Sequence, residues 1–105
     1  MYRQGDILIF PAKRLPDNLK PVKRTRRGLV LAEGEVTGHA HCIFERDCEL
    51  FCQVDLDEMA DRFLHVETVA LLVHDEHATL TIPAGDYVVR HQREYEPEAP
   101  RYVVD

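Results

Sequence analysis

Along the chain, apolar residues come in short runs that alternate with polar ones at period two and stop at glycine or proline. Gly5-Asp-Ile-Leu-Ile-Phe10 is such a run, closed by Pro11, and reads as a strand. Gly28-Leu-Val-Leu-Ala-Glu33 reads as the next, and Gly34 with Gly38 brackets a turn into His39-Ala-His-Cys-Ile-Phe-Glu45. In that stretch Ala40, Cys42 and Phe44 take one face, while His39, His41, Ile43 and Glu45 take the other. Cys48 to Val54 alternates again and places Cys48, Leu50, Cys52 and Val54 together. Phe63–Glu67 and Val69–Val73 are further strand candidates, and the second, apolar throughout, reads as buried on both faces. His77–Ile82 and Tyr87–Tyr95 flank Pro83-Ala-Gly-Asp86, whose proline and glycine suit a turn, so the three pieces predict a hairpin.

Between these runs, residues 11–27 hold three prolines and a basic cluster and read as a long loop. Residues 55–61 fit one helical turn or a polar connection, and residues 96–105 an edge strand or a tail. Seven to nine short strands without a convincing helix predict an all-β protein, a small β-barrel or β-sandwich in which residues 1–105 form a single domain. A chain of this length can bury a core without disulfides or other staples.

Composition narrows the function classes. No apolar run approaches the ~20 residues of a membrane span, and the first residues lack a signal-peptide layout, so the expected setting is the cytoplasm, away from membranes. Cys42, Cys48 and Cys52 are odd in number and best read as reduced thiols in core packing. The net charge of −6 is uneven: residues 1–30 carry eight Lys/Arg against two Asp/Glu (+6), and the remainder five against seventeen (−12). The positive part gathers in Lys20–Arg27, which reads first as a solvated loop. The acidic remainder repels a phosphate backbone, so nucleic acid is a disfavoured partner. The chain has no serine, which removes Ser-His-Asp catalysis. Cys42 and its neighbour His41 point to opposite faces of a strand and make no nucleophile pair.

The histidines carry the candidate chemistry. His39 and His41 on a strand share a face about 7 Å apart at their backbones, and His74 and His77 form a second close pair. Two imidazole pairs beside carboxylates that could orient their second nitrogens predict a site for a divalent transition metal held by His39, His41, His74 and His77. Glu45 and His91 rank behind them as ligands, and Glu45 and Glu76 are the candidates for proton transfer in a metal-dependent reaction on a small molecule. Zinc is the first choice, with iron, manganese and nickel as further options. A non-catalytic metal-binding module, or a homo-oligomeric interaction module of phage or mobile-element origin, is the alternative. His65, alone in an apolar strand, reads as a satisfied core or interface histidine. Arg90, Arg93 and Tyr95 form a polar group that reads first as a solvated strand face.

His39-Ala-His41 followed by Glu45 resembles the first motif of cupins, in which two histidines and a glutamate bind a metal inside a small β-barrel. Pro83-Ala-Gly85, followed by His91, is similar to the Pro-x-Gly element of the second cupin motif. That resemblance implies a cupin-like barrel with His39, His41 and Glu45 as ligands and His91 as the fourth. His74 and His77 have no counterpart in it, and in the preferred two-pair site they replace Glu45 and His91. Residues 34–41 (Gly-Glu-Val-Thr-Gly-His-Ala-His) and 92–95 (Gln-Arg-Glu-Tyr) are also similar to runs in short bacterial and phage-type proteins, a resemblance that implies no particular activity.

Overall fold

A computed structural model of the chain describes residues 1–34, 38–54 and 60–92. Within them all regular structure is β: β1 (Tyr2–Gln4), β2 (Ile7–Pro11), β3 (Leu19–Pro21), β4 (Leu29–Glu33), β5 (Ala40–Ile43), β6 (Cys48–Gln53), β7 (Arg62–Val73) and β8 (Leu80–His91). Among the described residues no helix is long and apolar enough to cross a membrane. The strands form one antiparallel sheet in the order β1-β2-β8-β7-β5-β4, with β6 pairing both β3 and the first half of β7. The sheet stays open rather than closing as a barrel or sandwich.

The fold is organised by the hairpin β7–β8, whose two strands of twelve residues pair from Arg62↔Val89 to Leu72↔Leu80. Along its other edge β7 pairs β6 through residues 48–51 and then β5 through Cys42↔Val73 and Ile43↔Leu72. The predicted turn at Pro83-Ala-Gly-Asp86 is not one. Residues 80–91 run on as a single strand, and the chain reverses instead at residues 74–79. Proline and glycine are tolerated inside β8 because β7 bulges opposite them: Val66 pairs Gly85 and Val69 pairs Pro83, leaving one more residue on β7 than on β8. Gly85 sits there at φ 150°, a conformation side chains seldom allow.

This bulge bends the hairpin back on itself. A flat strand of twelve residues would separate its ends by about 36 Å. Yet Asp6, beside His91 at the end of β8, follows two residues after Gln4, whose side chain bonds to the carbonyls of Leu72 and Ala78 at the start of that strand. The two ends of the curled sheet therefore meet at the β1–β2 turn.

One hydrophobic cluster fills the concave side: Ile7 and Ile9 of β2, Leu29 and Leu31 of β4, Ile43 of β5, Cys48 and Leu50 of β6, Leu64, Val66, Ala70 and Leu72 of β7, and Ile82, Tyr87 and Val89 of β8. Leu31 is the extra residue of a second bulge, between β4 and β5, and Arg62 takes its carbonyl as a hydrogen-bond acceptor. The run Val69–Val73 is not buried on both faces. Ala70 and Leu72 are enclosed, whereas Val69 and Leu71 lie exposed on the convex face, because nothing among the described residues covers that side of β7.

The stretch 11–27, expected as a loop, contains β3, which pairs Leu19–Pro21 with Phe51–Gln53, and a bridge from Thr25 to Gly28. Two of its basic residues serve the fold: Arg24 donates to the carbonyls of Glu45 and Cys48, and Arg27 reaches Glu33 and the Gly38 carbonyl. Lys23 and Arg26 remain exposed. Arg90 is likewise engaged, gripping Asp61 with two hydrogen bonds and lying over Phe10. All three cysteines are free thiols; burial pushes Cys48 up to about 11, so it is protonated and packs as a hydrophobe. The helical turn expected near residues 55–61 falls mostly, and Arg93, Tyr95 and the segment 96–105 wholly, outside the described residues.

Candidate histidine centre

Four of the six histidines converge where the ends of the curled sheet meet. His41 stands on β5, on the core side with Ile43, and His39 just precedes that strand. His74 and His77 come from the β7–β8 turn. The ring centroids of His41 and His74 are 4.3 Å apart, those of His74 and His77 4.6 Å, those of His39 and His74 5.8 Å, and those of His41 and His77 6.0 Å. The two sequence pairs thus make one cluster. Asp75 and Glu76 approach His39 to 4.0 and 3.8 Å.

His41 is the fixed member of the group, and a residue that the sequence pattern did not single out fixes it. Gln4, on β1, is 3% exposed. Both protons of its amide nitrogen are committed, to the Leu72 carbonyl at 2.8 Å and the Ala78 carbonyl at 2.9 Å. Its oxygen therefore faces His41 Nδ1 at 2.7 Å and can only accept. Nδ1 must carry the proton, so Nε2 of neutral His41 presents a lone pair to the cluster. Burial first and the His74 ring next, opposed by Asp6 and aided to a smaller extent by His77 and His91, push the His41 pKa down to about 4, so it stays neutral at ordinary pH.

The β1–β2 turn closes the group from above. Gly5, at φ 59°, occupies the position where a mirror-image hairpin turn requires positive φ. A β-carbon there would lie 2.8 Å from His77 Nε2 and 3.3 Å from His41 Cε1, so only glycine lets the turn settle onto both rings. The next residue, Asp6, was also missed in the sequence. Its Oδ2 accepts from His91 Nε2 at 2.8 Å, and its Oδ1 lies 3.6 Å from His41 Nε2. Burial raises the Asp6 carboxyl, but the His91 hydrogen bond and charge outweigh it, leaving the group below its usual value. His91 thereby joins the margin of the cluster. Glu45 does not: its carboxylate accepts from the Leu71 amide on the exposed face of β7.

Among the described residues, no three His, Cys, Asp or Glu groups are placed to hold a metal ion at once. The imidazoles pack against one another, and His74 Nδ1 is occupied in accepting from the Glu76 amide at 3.0 Å. Of the three rings, His77 is exposed and His74 half-buried, whereas His41 is buried and held by Gln4.

His65 lies apart from the cluster, beside the β7 bulge, and is partly exposed rather than a core residue. Its Nδ1 contacts Asp86 at 2.7 Å and its Nε2 contacts Glu67 at 2.9 Å. Hydrogen bonds first to Asp86 and then to Glu67 raise its pKa. The imidazolium therefore holds β7 to β8 with a contribution that is complete below the unfolded value near pH 6.5 and is lost as pH rises through the higher folded value. Thermal melts across pH 5–9 should show the wild type's advantage over His65→Gln largest in acid and shrinking toward alkali; a difference independent of pH would refute the ion-pair account.

An all-β domain with an imidazole cluster at the meeting point of a curled open sheet is the class that fold and site define. The chain belongs to the family described as a domain of unknown function, DUF8820, which its residues 3–92 match. Gln4, Asp6 and all five histidines of the cluster and its margin fall within the matched region. No curated protein and no solved structure matches the chain.

Proposed function

We propose that the protein is a metal-binding β domain whose centre is built on His41, His74 and His77, with His39 at its edge. The observation that carries this reading is the lock on His41. A buried amide with both donors already committed forces one tautomer and leaves the Nε2 lone pair of His41 open beside further imidazoles and the Asp6 carboxylate. Histidine ligands of metals are held in this way by a partner on the opposite ring nitrogen. The donor set is nitrogen and oxygen without thiolate, which suits zinc first and then iron, manganese or nickel. Asp6, Asp75 and Glu76 supply negative charge to balance a divalent ion. The cluster lies at the surface, and a bound ion would keep a side toward solvent where water or a small ligand can reach it. The cupin-like reading would add Glu45 and His91 as ligands; the separation of Glu45 from the cluster favours the two-pair site.

The test is metal content by elemental mass spectrometry of untagged protein, equilibrated with zinc and then freed of excess. Wild type should retain one ion per chain. His74→Ala/His77→Ala, which alters only partly or fully exposed side chains, should retain none while keeping its thermal melt. Wild type that leaves equilibration without metal, or a double variant that binds as wild type does, would overturn the proposal.

A further inference from the structure

The geometry points to Asp6 as the carboxylate ligand of this centre, with its Oδ1 and His41 Nε2 forming one edge of the coordination sphere and His91 acting as the residue that positions it. The inference rests on the metal-binding reading and adds to it a ligand from a part of the chain where no histidine stands.

The hydrogen bonds around the two residues carry the argument. His41 Nδ1 holds the ring's proton because its partner, the Gln4 oxygen, can only accept. His41 Nε2 is consequently a bare lone pair, and what faces it is a carboxylate oxygen, Oδ1 of Asp6, at 3.6 Å. Two acceptors are thus turned toward one another in a partly buried place. The separation exceeds the 2.7–3.2 Å of an N–H···O bond, so a shared proton does not account for it. It does match two ligands on one ion: donors each about 2.0–2.1 Å from a metal, at angles between tetrahedral and trigonal, lie roughly 3.3–3.6 Å apart. Little movement of either residue is needed for both to coordinate.

The surroundings keep that edge in place. Asp6 cannot swing freely, because its second oxygen is bound to His91 Nε2 at 2.8 Å and its backbone carbonyl accepts from the Gln92 amide at 2.7 Å, next to the Ile7↔His91 register. His91 therefore acts through Asp6, as an outer partner orienting a ligating carboxylate. A further donor approaches from the same side: His77 Nε2 packs against Gly5, the residue immediately before Asp6. His41, Asp6 and His77 thus meet at one turn.

The decisive experiment titrates metal-free protein with Co(II), whose visible absorption reports the ligands directly. Wild type should bind one Co(II). Asp6→Asn, which keeps the turn and removes the charge, should weaken binding at least tenfold and change the Co(II) spectrum, and Asp6→Ser should do the same. His91→Gln should weaken binding about tenfold with the spectrum unchanged, as expected of a residue outside the coordination sphere. Thermal melts of each variant establish that the protein is folded. If wild type binds Co(II) and both Asp6 variants match it in affinity and spectrum, the assignment of Asp6 falls while the histidine centre stands. If wild type binds no Co(II), the histidine centre itself falls, and Asp6 with it.

Discussion

Replacing Gln4 with leucine is expected to lower stability by about 2–6 kcal/mol. For a domain of this size that corresponds to a fall in melting temperature of roughly 15–25 °C. Leucine is one carbon shorter than glutamine but no smaller in volume, so most of the loss would come from polar groups left without partners rather than from a cavity. Gln4 closes three hydrogen bonds at once, two of them buried: its amide nitrogen serves the carbonyls of Leu72 and, nearer the surface, Ala78, and its oxygen serves His41 Nδ1. Each abandoned buried group costs about 1–3 kcal/mol. The same bonds tie β1 to the far end of the β7–β8 hairpin, so their removal also loosens the meeting of the two sheet ends. Gln4→Glu should not rescue, because it offers only acceptors where two donors are required. Chemical denaturation of wild type and Gln4→Leu measures the difference. A cost below about 1 kcal/mol would show that the network contributes little and that His41 is not held by it.

The same residue marks the limit of what the chain discloses before folding. Period-two patterning reveals the strands, because each buries one face on a single core; β2, β4, β5 and β6 fall close to the runs that predict them. The His39–His41 pair is legible for the same reason, since spacing along a strand sets which side chains share a face, whereas His74 and His77 are close only because they share one turn. What pattern cannot reveal is curvature. Pro83 and Gly85 look like a turn, and become strand only because β7 supplies an extra residue opposite them, a fact held in the pairing partner. Once the hairpin is bent, Gln4 and Asp6 arrive beside histidines 35 to 85 positions away in sequence. A glutamine in an N-terminal strand carries no local mark of burial. The one faint signal was Gly5-Asp6, a dipeptide that suits a tight hairpin turn and would have pointed to β1 preceding β2. His65 is satisfied, as a lone histidine among apolar residues suggests, but outside the core, because its carboxylate partners come from the neighbouring strand and from the bulge.

A second large effect is expected at Gly28, where Gly28→Ala should cost about 2–5 kcal/mol. Two separable causes add there. The residue sits at φ 84°, and an alanine in that left-handed conformation costs roughly 1–2 kcal/mol. Its β-carbon would also stand 2.4 Å from the Ile43 carbonyl oxygen, which is backbone in β5 and cannot rotate away as a side chain could. Relieving the contact means moving β5 off β4, at the first pair of their register, Leu29↔Ile43. Gly38 provides the comparison, since it has φ 76° and open space where a β-carbon would go. Gly38→Ala should therefore show the conformational cost alone, and the excess at Gly28 isolates the clash. Equal destabilisation of the two variants by chemical denaturation would refute the steric account. Because His41 lies two residues before Ile43 on the displaced strand, Gly28→Ala should also weaken metal binding at the centre proposed here, whereas Gly38→Ala should leave the His41–Gln4 contact intact. A shared response in stability and metal affinity at Gly28 alone would tie the binding geometry to the packing of β4 on β5.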